Sequence, residues 1–265
     1  MASFSVVSNV SASNAQANLL NTNIGLQNTL TRLSSGFRIN QAGDDAAGLA
    51  VANSYRSQQA VLNQGVRNAN DGLSTLQIKN GALDNISTLL DRLSTLATQS
   101  ASAGFLGNRT TLNNEFQDVV SEIAREVTVA GLATAQGFSV FVSSGASGTV
   151  GGTIGASDTT TLGINALSVA SAAGAATAVT SVTAAVATVG TVVGSVGSLQ
   201  NRLQYSITLA QYQSINTKAA ESRIRDANIA EESANLARYN ILTQSGIAAL
   251  AQANQQSSSV LSLLR

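Results

Sequence analysis

Histidine, cysteine, proline and tryptophan are absent from all 265 residues, and lysine occurs only at Lys79 and Lys218. Without His or Cys the chain lacks the usual neutral-pH base, the thiolate nucleophile and the common transition-metal ligands. Carboxylates remain, but they are thinly spread. The only adjacent pairs are Asp44 with Asp45 and Glu231 with Glu232, and no Asp/Asn run closed by a Glu resembles a calcium loop. No catalytic residue, metal or cofactor is therefore expected. The formal net charge is zero, which with two lysines leaves no footprint for phosphate backbones, so nucleic acid is excluded as a partner. Absent cysteine also excludes a disulfide framework, so packing or association must supply the stability.

Aromatic residues make up 4% of the chain. A core built from Ala, Val, Leu and Ile alone suits helix seams better than a thick globule. Absent proline leaves long helices uninterrupted. The first cation is Arg32 and no sustained apolar run precedes it, so a cleaved secretion signal is not expected.

What is present is helical periodicity. Ala12, Ala15, Leu19, Thr22, Leu26, Leu30, Leu33 and Phe37 recur at steps of three and four, one stripe of an amphipathic helix. Gly36 and Gly43 interrupt it, and Asp44 offers an oxygen to cap a second helix. From Leu62 a seam runs through Val66, Ala69, Leu73, Leu76 and Leu83, with Asn80 as its polar member, then through Ile86, Leu90, Leu93 and Ala97. Its steps alternate four and three until a slip near Leu83, a coiled-coil period. Leu112, Phe116, Val119, Ile123 and Val127 form a shorter third stripe.

From Gly137 the period changes. Phe138, Val140 and Val142 alternate with Ser139, Phe141 and Ser143, predicting short strands and turns over residues 138–165, with a turn at Ser157 and Asp158. Residues 159–201 carry no charge and are rich in Val and Thr, which favours strand by propensity. The period points the other way, because Val179, Val182, Val186, Val189, Val193 and Val196 recur at three and four and the register continues to Leu199, Leu203 and Ile207. A helix puts these valines on one face and a strand does not, so helix is expected. A last stripe holds Leu242, Gly246, Ala249, Ala253, Gln256, Val260 and Leu263.

Several features have plain structural readings. Asp44 and Asp45 mark a helix start rather than a catalytic dyad. Glu231 and Glu232 diverge by about 100° on a helix and are expected on a solvated or intersubunit face. Gly190 and Gly194 form a GxxxG, but residues 171–198 contain no Leu, Ile or Phe, so close helix packing is expected rather than a membrane span.

Arg32 to Asn53 reads RLSSGFRINQAGDDAAGLAVAN, Arg67 to Gly72 reads RNANDG, and Leu250 to Arg265 reads LAQANQQSSSVLSLLR. With LATQSA at Leu96 to Ala101 and SLQNRL at Ser198 to Leu203, these strings resemble the signature segments of bacterial flagellin, across about residues 1–165 and 177–265. The resemblance implies a mainly α fold: a long helical coiled-coil rod with a small β-hairpin region and paired N- and C-terminal helices. Residues 1–43 and 224–265 would form the terminal coiled coil lining the filament channel. Residues 44–223 would form the rod, with helices 45–103, 109–130 and 177–223 and a hairpin region 138–165. Only a short connection near 166–176 is left, so outer variable domains are expected to be missing.

The resemblance further implies an extracellular homopolymer, the swimming filament, with a hook–filament junction protein as the alternative. It implies export through the flagellar type III apparatus and contact with an export chaperone on residues 224–265, a filament cap and hook-junction proteins. Leu19, Leu26, Leu30, Leu33, Leu242, Ala249, Val260 and Leu263 are the expected self-assembly residues, and Leu73, Leu90, Leu93, Val182, Val186 and Val189 the rod seam. Many flagellins carry an Arg-Val-Arg-Glu-Leu stretch read by an animal innate-immune receptor. Its positions here are Arg92, Leu93, Ser94, Thr95 and Leu96, which keep the first Arg but not the second Arg or the Glu, so strong receptor activation is not expected.

Burying a Leu contributes about 1.5–3 kcal/mol. Leu19, Leu26, Leu30 and Leu33 thus offer roughly 6–12 kcal/mol at most, against an association cost of about 4–15 kcal/mol. One contact barely suffices, so pairing the ends and meeting several neighbours in a non-closing helical array is the expected outcome.

Overall fold

A computed structural model describes residues 8–144 and 148–263, with side chains through Gln255. The chain is mainly α: α1 Val10–Ser35, α2 Ala46–Ala101, α3 Arg109–Val129, α4 Ala172–Arg225 and α5 Ile229–Leu263, with strands β1 Gln136–Phe141 and β2 Thr149–Ile154. It divides into a terminal unit, residues 1–57 and 216–265, and a central unit, residues 58–215.

Local chemistry sets the helix ends. Asn9 Oδ1 accepts the Ala12 amide at 3.0 Å to start α1, which Gly36 closes in the left-handed conformation at φ +74. α2 starts at Asp45, whose Oδ1 accepts the Gly48 amide at 2.8 Å. The expected cap, Asp44, instead turns back to accept the Asn40 and Gln41 amides at 3.0 and 3.1 Å. The two neighbours thus divide the work, one starting the helix and the other closing the turn before it. Asn108 caps α3, and Gly131 at φ +63 ends it, with the Leu132 amide donating to Val127 O and the Gly131 amide to Thr128 O.

In the terminal unit α1 and α5 pack antiparallel. In the central unit α2, α3, α4 and the hairpin share one core, whose largest fully buried side chains include Leu76, Leu83, Leu90, Leu93, Phe116 and Leu203. β1 and β2 pair antiparallel, Phe138 opposite Gly152 and Val140 opposite Val150. The connection to α4 is an ordered loop laced to the helices. Ser100 Oγ donates to Val169 O at 2.5 Å, Gln117 Nε2 to Leu167 O at 2.7 Å, and Asn113 Oδ1 accepts from Val169 N at 2.9 Å. No outer domain stands between Ile154 and Ala172, and α4 begins at Ala172 rather than residue 177.

The α2 seam differs from its expected course. Its inward line is Leu62, Gly65, Ala69, Gly72, Leu76, Lys79, Leu83, Ile86, Leu90, Leu93 and Ala97, all buried, in steps of three and four without a slip. Val66, Leu73 and Asn80 lie one residue off that line and are half-buried. The reason is the hairpin. A Cβ on Gly65 would stand 1.7 Å from Val142 O, and one on Gly72 would meet Val140 Cγ2 at 2.7 Å, so side-chain-free positions admit the strand.

α4 shows the same one-residue displacement. Its buried line is Ala175, Ala178, Val182, Ala185, Val189, Val192, Val196, Leu199 and Leu203. Val186 is 39% exposed and does not belong to the seam, because Ala185 takes the inward position beside it.

Candidate assembly surface

The terminal pair is held by contacts that step along two antiparallel helices. Asn9 Nδ2 donates to Ala253 O at 2.9 Å, Leu19 lies against Gly246, the Tyr239 ring covers Gly25, and Arg32 Nη1 meets Glu232 Oε1 at 3.4 Å. Glu232 is buried to 8% exposure, whereas Glu231 is exposed. The expectation of a solvated or intersubunit face for the acid pair is thus corrected for Glu232, which is buried against Arg32 of its own chain. The 100° between neighbours turns one carboxylate onto Arg32 and the other to solvent.

Below that pair the two chain crossings clasp each other. The Arg38 amide donates to Arg225 O at 2.6 Å and the Ala227 amide to Gly36 O at 2.9 Å, a single antiparallel bridge at Phe37 and Asp226. The Arg225 guanidinium lies over the Phe37 ring at 4.1 Å, within cation–π range, and donates to Ile39 O at 3.4 Å. Arg32 also approaches Asp44 at 3.8 Å. The Asn40 and Gln41 amides, with Arg32 beside them, hold the Asp44 carboxyl below its ordinary value of 3.8.

The expected self-assembly residues are distributed unevenly. Leu19, Leu26 and Leu33 are half-buried on α1. Leu30 is 48% exposed, Leu242 is 43% exposed, and Ala249 is exposed. The side chains of Val260 and Leu263 lie outside the described residues. Leu20 and Ile24 on α1 and Ile241 and Ile247 on α5 are exposed as well, so the pair buries one face of each helix and leaves apolar side chains on others.

Of the expected rod seam, Leu90, Leu93, Val182 and Val189 are fully buried and Leu73 is partly buried against the core. Arg92 points outward and pairs with Glu115 of α3, while its neighbours Leu93 and Leu96 are buried. The sequence reading passed over Lys79, which is 8% exposed and donates to Ala130 O, Gly131 O and Gln136 Oε1 at 3.0, 3.1 and 3.4 Å. The signal was available, since Gly65, Gly72 and Lys79 recur at seven-residue intervals. Among the described residues no group of three or more carboxylates gathers as a metal site.

Two family descriptions match this architecture: the bacterial flagellin N-terminal helical region over residues 6–132, and the bacterial flagellin C-terminal helical region over residues 179–264. The chain belongs to the flagellin family. A flagellin of Halalkalibacterium halodurans is 39% identical, with 97% of this chain and 98% of that one covered. The flagellar filament 33 kDa core protein of Treponema phagedenis is 36% identical, again covering 97% and 98%. The crystal structure of Bacillus cereus flagellin matches at a TM-score of 0.48 and 28% identity, covering 58% of this chain and 94% of that one. This flagellin chain spans 98% of the length of both the Halalkalibacterium and the Treponema relatives, in keeping with the direct loop between its hairpin and α4.

Proposed function

We propose that this chain builds its filament through the terminal unit, with the exposed apolar residues of α1 and α5 as the surface that neighbouring copies cover. The chain is a structural subunit of the bacterial flagellar filament and works outside the cell as a homopolymer. The observation that carries the assembly reading is the exposure of Leu20, Ile24, Leu30, Ile241, Leu242 and Ile247 on helices already paired along another face. Apolar side chains at this density on an already folded pair favour further association. The filament relatives match over nearly their whole length, which favours filament over hook–filament junction.

Leu19, Leu26, Leu30, Leu33, Leu242, Ala249, Val260 and Leu263 are the assembly set in this reading, and residues 1–43 and 224–265 line the channel. Residues 224–265 also serve an export chaperone, while the filament cap and hook-junction proteins meet the ends of the polymer. No catalysis is assigned, supported by the absence of His and Cys. Arg92 stays engaged with Glu115 and is followed by Ser94 and Thr95, which supports weak recognition by the innate-immune receptor.

Seeded growth of the purified chain tests the core of this reading. Sheared filament seeds should elongate into tubes visible by electron microscopy. Failure to elongate at high concentration, with the fold intact by circular dichroism, would refute it.

A further inference from the structure

α3 ends without a cation of its own. No basic residue lies in its last turn, yet the C-terminal end of a helix carries partial negative charge and unpaired carbonyls. The turn at Gly131 satisfies Val127 O and Thr128 O. Just past the last helical residue, Ala130 O and Gly131 O both accept from the ammonium of Lys79, which reaches them from α2. Its third donor goes to Gln136 Oε1, at the first residue of β1. Three donors thus meet three oxygens from the end of one helix and the root of the hairpin.

We infer that Lys79 caps α3 from the neighbouring helix and is the residue that positions the β-hairpin on α2. The sequence spacing fits the second role. Gly65 and Gly72 let the hairpin approach α2, and Lys79, seven residues further along the same line, ties down its root.

No carboxylate takes part. Asp84 on α2 is engaged by Asn80, and on α3 Glu122 pairs with Arg125 while Glu126 takes Asn85 and Arg125. β1 and residues 159–201 contain no titratable group. Burial pushes the Lys79 ammonium below the ordinary lysine value. What the ammonium supplies is three donors, and removing it alone would leave Ala130 O, Gly131 O and Gln136 Oε1 without them.

The test is native-state amide exchange on the soluble full-length chain, so its outcome does not depend on polymerisation. Lys79→Met keeps the apolar stem and removes the three donors. Exchange at Gly131, Leu132 and across β1 should rise about tenfold or more, and by clearly more than at Leu90, Leu93 and Val189. Unchanged exchange at the corner overturns the proposal. So does an equal acceleration at the corner and in the buried core, or failure of the variant to fold.

A second variant separates the two roles. Adding Thr128→Lys in the Lys79→Met background returns a cation to the end of α3 but nothing to Gln136. Protection should return at Gly131 and not in β1. Return at both, or at neither, overturns the division.

Discussion

The carbonyl of Val142 lies so close over Gly65 that a methyl group built there would stand 1.7 Å from its oxygen. Glycine inside a helix costs about 1 kcal/mol relative to alanine, so this position trades helix propensity for hairpin docking. Gly65→Ala should displace the end of β1 and destabilise the central unit by roughly 1–3 kcal/mol despite the better propensity. Gly81 on the same helix has open space around it, and Gly81→Ala should stabilise by about 0.4–1 kcal/mol. Urea unfolding of the two variants side by side checks the opposite signs.

Val189 and Val186 make a second contrast, three residues apart on α4. Val189 is fully buried, and Val189→Ala should cost roughly 1–3 kcal/mol. Val186→Ala should stay within about 0.5 kcal/mol of the parent in the soluble subunit. Equal losses in thermal unfolding would mean that the inward line of α4 runs elsewhere.

Asp44 and Lys79 should give stability slopes at opposite ends of the pH range. The Asp44 carboxyl is held low, so its contribution is complete above the ordinary value of 3.8 and is lost as pH falls through the lowered folded value. Lys79 is also held low, but it is a base. Between its lowered folded value and the ordinary 10.5 the unfolded chain binds more protons, so stability contributed by this group rises with pH across that window. Unfolding midpoints of the parent, Asp44→Asn and Lys79→Met across pH should show each slope flattened in its own variant.

Leu30 and Leu242 are exposed in the subunit and belong to the proposed assembly set. Leu30→Asn or Leu242→Asn should leave Tm of the soluble chain within about 0.5 kcal/mol equivalent of the parent. The concentration needed for seeded elongation should rise by about tenfold, the effect of losing roughly 1.4 kcal/mol of burial per contact. Sedimentation of seeded mixtures reads the difference, and unaltered elongation would remove these two residues from the surface.

The helical period carried most of the fold in advance, because stripes such as Leu83, Ile86, Leu90 and Leu93 face inward wherever α2 runs. It failed where the inward residue is not apolar. At Gly65, Gly72 and Lys79 the neighbouring Val66, Leu73 and Asn80 carry a stronger seam signal than the inward residues, and the apparent slip near Leu83 follows from that displacement. On α4 the same preference for larger side chains chose Val186 over Ala185. Asp44 and Asp45 could not be told apart as caps because both precede α2 and only the backbone decides which oxygen faces which amide. Of the exposed apolar residues on α1 and α5, Leu30 and Leu242 were legible as stripe members while Leu20, Ile24, Ile241 and Ile247 were not, because which side chains α5 covers depends on the crossing of two helices far apart in sequence.

That separation has a temporal side. Asn9 and Ala253, joined by a hydrogen bond, are 244 positions apart, with α2, α3, α4 and the hairpin between them. Closing so long a loop carries an entropic penalty that local helix formation does not meet. A nascent chain leaving the ribosome can complete the core of α2, α3 and α4 first, whereas α1 must wait unpaired until α5 has been made.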